Sequence, residues 1–129
     1  GESVGLRRLF GGRSQLIVYH FMLGEGWKEG CKSCSLLTDT LDGIIPHLGA
    51  RDTSLAVVSR GLPEDIAAFK ERMGWAFDWY RSTDSFSEDY GVGFGKDQVS
   101  DGKKVYYNYR EAPFPATEAP GCSVFALSE

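Results

Sequence analysis

Leu16-Ile-Val-Tyr-His-Phe-Met22, then Gly30-Cys-Lys-Ser-Cys34, then Leu36, Leu37, Leu41, Ile44, Ile45 and Leu48 spaced at one-, three- and four-residue steps: this stretch decides the fold. A continuous apolar run interrupted only by His20 reads as a buried strand. The recurring leucines and isoleucines read as one apolar face of a helix. Gly24, Gly26 and Gly30 surround Trp27 in the loop between them, giving a flexible approach to Cys31 with one large aromatic beside it. A cysteine pair at a strand-to-helix junction is a redox address. A thiolate there meets the positive end of the helix dipole and the unpaired amides of the first turn, so its pKa falls and it becomes a nucleophile near neutral pH. The second cysteine, one turn along, can then close a disulfide. Pro46 removes a backbone donor inside the apolar pattern, which predicts a kink or an early helix end near Ile45.

Outward from this stretch, Thr53–Ser59 is a second apolar, β-branched run and a second strand. Pro63 stands at a first helical position, Glu64 and Asp65 fill the first turn, Ile66, Phe69 and Met73 make a stripe, and Gly74 stops it. Strand, helix, strand, helix predicts right-handed crossovers, a parallel pair formed by residues 16–22 and 55–58, and an α/β fold. Residues 75–80 read as a short strand and 82–88 as a polar turn or short helix. Residues 93–103 read as polar and Gly-rich, 105–109 as a strand, 111–120 with Pro113, Pro115 and Pro120 as a loop, and 122–127 as the last strand. No linker divides the 129 residues, so they read as a single domain.

The bulk numbers exclude several classes. A net charge of -4 with scattered lysines and arginines leaves no basic face for nucleic acid. No apolar stretch approaches the roughly 20 residues that cross a bilayer, and Gly1-Glu-Ser-Val has no signal layout, although an opening without methionine leaves a removed leader open. Three cysteines, two of them adjacent in a turn, favour a catalytic pair in a reducing, cytoplasmic compartment over a secreted disulfide framework. Cys31, Cys34 and His47 match three ligands of a zinc finger, but a fourth is missing and a continuous helix would carry His47 well over ~10 Å from Cys34. Neither metal nor cofactor is expected. His20, a lone polar residue in an apolar strand, is first a hydrogen-bonded core group and second a catalyst. Cys122 is first a small buried hydrophobe and second a third redox thiol.

Leu9-Phe-Gly-Gly-Arg-Ser-Gln-Leu-Ile-Val-Tyr-His-Phe-Met22, Trp27-Lys-Glu-Gly-Cys-Lys-Ser-Cys-Ser35, His47-Leu-Gly-Ala-Arg-Asp52 and Phe69-Lys-Glu-Arg-Met-Gly-Trp75 together resemble the thioredoxin-like family catalogued as domain of unknown function 899. Its members are described as predicted dithiol–disulfide oxidoreductases, usually without a known substrate. The resemblance spans nearly the whole chain. It implies a thioredoxin-like three-layer sandwich, a central mixed sheet with helices on both faces. It also implies a protein or small-molecule thiol or disulfide as substrate. Where the family commonly has proline between the cysteines this chain has Lys32, whose charge would stabilise the thiolate and make the disulfide more oxidising. Family members continue beyond the point where this chain stops. The resemblance thus implies a C-terminally truncated fold with an apolar edge, to be covered by further residues or by another chain, a homodimer included.

The thioredoxin resemblance also implies roles. It puts His20 at the buried acid of the central strand, as proton acceptor for Cys34, and Pro120 at the cis-proline facing the dithiol. Cys31 is then the attacking and Cys34 the resolving cysteine, with Trp27, Lys32, Ser33 and Pro120 around the substrate. Two alternatives stand beside exchange chemistry. One is a peroxiredoxin-like peroxidase, suggested by residues 57–92 and opposed by Lys28 standing where Thr or Ser would precede the cysteine. The other is a non-enzymatic binding module on the same scaffold.

Overall fold

The computed structural model describes residues 4–83 and 85–128. The first three residues, on which the leader reading partly rested, Asp84 within the 82–88 stretch, and Glu129 lie outside the described residues. In chain order the elements are α1 (Leu6–Leu9), β1 (Gln15–His20), α2 (Lys32–Gly49), β2 (Thr53–Ser59), α3 (Pro63–Met73), β3 (Asp78–Arg81), α4 (Phe86–Asp89), α5 (Lys96–Val99), a short 3-10 turn Ser100–Gly102, β4 (Lys104–Tyr107), β5 (Arg110–Pro113) and β6 (Gly121–Ala126). Four strands form one mixed sheet in the order β3-β2-β1-β6. β1 runs parallel to β2, with Tyr19 opposite Val57, and β2 runs parallel to β3, as strand–helix–strand order demands. β6 returns antiparallel to β1 with Tyr19 opposite Cys122.

Both faces of the sheet are covered, which is why β2 is buried at every position and carries no polar alternation. On one face α2 and α3 enclose Tyr19, Phe21, Leu23, Cys34, Val57, Ile66, Phe69, Trp75 and Phe77. On the other, α1 and α4 help cover Phe10, Leu16, Val18, Ala56 and Val58. A smaller cluster of Val92, Phe94, Val105 and Ala119 lies under the two-stranded β4–β5 ribbon. Among the described residues no helix is long and apolar enough to cross a membrane.

The structure corrects five sequence expectations. α2 runs past Pro46 to Gly49, because the proline falls in the last turn, where only one ladder bond is lost. The buried side of α2 is also rotated from the leucine pattern: Cys34, Ser35 and Thr38 are buried, whereas Leu36 and Leu37 are exposed. Thr38 tolerates burial because its hydroxyl donates within the helix to the carbonyls of Cys34 and Ser35. Residues 75–77 do not join a strand, since the Ala76 and Phe77 amides donate to the Asp42 carboxylate on α2 and the Trp75 indole donates to Asp39. Finally, the segment after residue 109 is not all loop. A turn at Asn108 and Tyr109, both at positive φ, ends β4 and folds β5 back onto it. The 93–103 segment likewise contains α5, where the amide of the N-cap Gly95 donates to the Gln98 side-chain oxygen.

Candidate active site

The loop from β1 to α2 is fixed from both ends. Its start continues the sheet through the Phe21 amide, which donates to the Val58 carbonyl, and its end through the Cys31 amide, which donates to the Met22 carbonyl at 3.0 Å. Lys28 pairs with Asp65 at 2.7 Å and Arg72 with Glu29 at 2.8 Å, tying the loop to α3. Gly30 is wedged against aromatic rings: a Cβ there would stand 2.4 Å from Phe21 and 2.8 Å from Phe69. Cys31 therefore arrives at the head of α2, as its N-cap, at a height set by packing rather than by a flexible loop.

Cys31 is half-buried, Cys34 is buried, both are free thiols, and they approach to 3.4 Å. Partial burial pushes the Cys31 thiol up. The Ser33 hydroxyl at 3.1 Å, the Cys34 amide and thiol, and the Ser33 amide outweigh that, so its pKa lies below the ordinary thiol value. Burial raises the Cys34 thiol, and the neighbouring Cys31 adds to it; a phenol from Tyr19 and the Met22 backbone oppose the rise without cancelling it. One cysteine is thus prepared to ionise and the other to hold its proton.

Tyr19 is the residue that sequence reasoning missed. It points from β1 onto the α2 face, buried in the same cluster as Cys34 and near enough for each to influence the other's ionisation. Its own pKa is driven far above the usual phenol range, first by burial and then by Cys34 and Cys31. Tyr107 on β4 is close enough to both Tyr19 and Cys34 to interact electrostatically, and its hydroxyl donates to the Pro120 carbonyl.

His20 does not join the pair. Successive strand residues face opposite ways, so His20 lies on the far side of the sheet from Tyr19. There its Nε2 meets the Ser123 hydroxyl at 2.8 Å and its ring packs on Phe86 and Tyr90. Burial pushes its pKa down to about 4. The imidazole expected as proton acceptor and the Cys34 sulfur therefore lie toward opposite faces of the sheet.

Lys32 and Ser33 are exposed in the first turn of α2 beside Cys31. Trp27 is half-buried, packed against the aromatic cluster and lining a cleft with Gly24, Arg60 and Glu118. Pro120 enters β6 half-buried, but no described peptide bond is cis, so the expected cis-proline is absent among the described residues. The Ala119 amide donates to the Val92 carbonyl and the chain runs on extended into the strand. Cys122 is exposed, not the buried hydrophobe expected, and stands in register with Tyr19. Among the described residues no three His, Cys, Asp or Glu side chains are grouped to hold a metal ion.

Residues 1–129 match the model of a family described as Bacterial protein of unknown function (DUF899). No curated protein and no solved structure matches the chain.

Proposed function

The chain belongs to the DUF899 family, and we propose that it is a thioredoxin-like thiol–disulfide oxidoreductase acting on a protein or small-molecule disulfide. The observation that carries this reading is the asymmetry of the pair. A half-buried thiol with lowered pKa sits at a helix N-cap, 3.4 Å from a buried thiol with raised pKa. Exchange chemistry needs that division of labour. The Cys31 thiolate attacks a substrate disulfide, forming the Cys31–substrate bond and expelling one substrate thiolate. Cys34 then attacks the Cys31 sulfur, the Cys31–Cys34 bond forms, and the second substrate thiol leaves. The dithiol is oxidised and the substrate disulfide is reduced. The thioredoxin likeness draws support from the central parallel strand leading into a CxxC helix, with an antiparallel strand on its other side.

Insulin reduction tests the proposal. The reduced protein is expected to precipitate the insulin B chain, Cys31→Ser to abolish this, and Cys34→Ser to accumulate a mixed disulfide visible by mass. Equal activity in the parent and in Cys31→Ser, or none in either, would overturn it for protein disulfides.

A further inference from the structure

The exchange reading leaves one chemical difficulty inside the protein. Cys34 is only 1 % exposed, and a buried thiol resists the ionisation that makes it a nucleophile. The group expected to relieve this, His20, is on the wrong face of the sheet. Tyr19 is on the right one. β1 and α2 bury it in the same cluster as Cys34, with Phe21, Val57 and Phe77. The ring is held edge-on to Phe21 at 6.4 Å, and its strand is flanked on both sides by paired neighbours. We infer that Tyr19 is a catalytic hydrogen-bond donor to Cys34, stabilising the buried thiolate as it attacks, and as it departs when the reaction runs backwards. This rests on the dithiol-exchange reading above.

The donor role follows from the order of acidities. A phenol whose ionisation is suppressed by burial and by two adjacent sulfurs keeps its proton while the thiol loses one. It therefore cannot be a base, and it need not be. In the resolving step the Cys34 proton ends on the departing substrate thiolate, the Cys34–Cys31 bond replaces the Cys31–substrate bond, and Tyr19 begins and ends protonated. A hydrogen bond from this phenol to a charged sulfur would be stronger than one to a neutral thiol. The interaction thus grows as negative charge develops, which is the condition for accelerating a step rather than merely binding its reactant. The groups facing Cys34 are Cys31 from the head of α2, Tyr19 from β1 and Tyr107 from β4. Tyr107 is less well placed to donate to sulfur, since its hydroxyl is committed to the Pro120 carbonyl.

The two chemical steps can be read separately with an equimolar aryl disulfide, 5,5′-dithiobis(2-nitrobenzoate), added to reduced protein in a Cys122→Ser background. Attack by Cys31 releases the first thionitrobenzoate, and resolution by Cys34 releases the second. Tyr19→Phe is expected to leave the first release within about twofold, slow the second roughly tenfold or more, and move the pH midpoint of the second upward. Replacing Tyr19 by 2,3-difluorotyrosine keeps the ring in place and makes the hydroxyl more acidic, so the same midpoint is expected to move down. An unchanged second release in Tyr19→Phe, or equal slowing of both releases, would overturn the donor role. So would a midpoint indifferent to fluorination, including where Tyr19→Phe fails to fold. A parent protein that gives no second release would instead overturn the exchange reading itself, and this inference with it.

Discussion

Replacing Gly30 by alanine is the sharpest test of how the loop sets the dithiol. The added Cβ would lie 2.4 Å from Phe21 Cε1, 2.7 Å from Phe21 Cζ and 2.8 Å from Phe69 Cε1. Carbon atoms in contact prefer about 3.5–4.0 Å, so the deficit is roughly 1 Å. Phe21 is 2 % exposed and hemmed in by Phe69, Trp75 and Trp79, with the Trp79 ring centroid at 4.8 Å, so it has nowhere to swing. The loop must rise instead. Overpacking of this kind destabilises by about 1–3 kcal/mol. With a midpoint unfolding entropy of about 0.27 kcal/mol per kelvin, scaled from chain length, the melting temperature should fall by roughly 4–11 °C.

The same displacement should be legible at the sulfur. Lifting residue 30 lengthens the Cys31-to-Met22 backbone bond and carries the N-cap away from the amides and hydroxyl that lower the Cys31 pKa. Thermal melting followed by near-ultraviolet dichroism, beside the pH profile of iodoacetamide alkylation, measures both effects. Gly26→Ala is the control: its Cβ would meet nothing within 4 Å, but its φ of +84° makes any side chain strained. It should destabilise by about 1 kcal/mol without touching Cys31. A Gly30→Ala protein that melts with the parent and alkylates with the parent's pH profile would refute the wedge.

Two further outcomes follow from the side chains around the site. Ser33→Ala removes the hydroxyl 3.1 Å from the Cys31 sulfur, so the thiol pKa should rise and alkylation at neutral pH should slow; an unchanged profile would discard the hydroxyl as a contributor. His20 has a folded pKa of about 4, below its free value of 6.5, because burial disfavours its charge. Its contribution to stability is complete above 6.5 and is lost as pH falls toward about 4, so His20→Phe should flatten that part of a denaturant-measured stability–pH curve; parallel curves would remove His20 as a source of acid sensitivity.

Much of the fold was legible because several signals agreed. Thr53–Ser59 is apolar and β-branched and lies between two paired strands; Pro63 and Gly74 bracket α3, with Gly74 in the left-handed conformation that ends helices. The Asn108-Tyr109 turn was not legible, since a tight hairpin turn is usually announced by glycine and a tyrosine at φ +65° announces nothing. The identity of the residue beneath Cys34 was hidden for a different reason. In a strand buried on both faces the sequence carries no polar alternation, so nothing in Leu16-Ile-Val-Tyr-His-Phe-Met22 distinguishes the face of Tyr19 from the face of His20. The thioredoxin resemblance points to the imidazole. The alternation of β1 puts the phenol on the α2 face.

The spacing along α2 explains why the two cysteines differ. Cys34, Thr38, Leu41 and Ile45 fall at steps of four, three and four, the spacing of a helix stripe, and all of them turn toward the sheet. Cys31 continues the stripe by one more step of three, but at that step the helix has ended. Its side chain keeps the direction of the stripe and loses the cover, gaining the free amides of the first turn in exchange. A pair spaced by one or two residues would place the second thiol around the helix from the first. The CxxC spacing at this helix head gives contact and unequal burial together, and unequal burial is what separates an attacking thiol from a resolving one. In the proposed exchange Tyr19 would serve the buried side alone, where water cannot support a charge on Cys34.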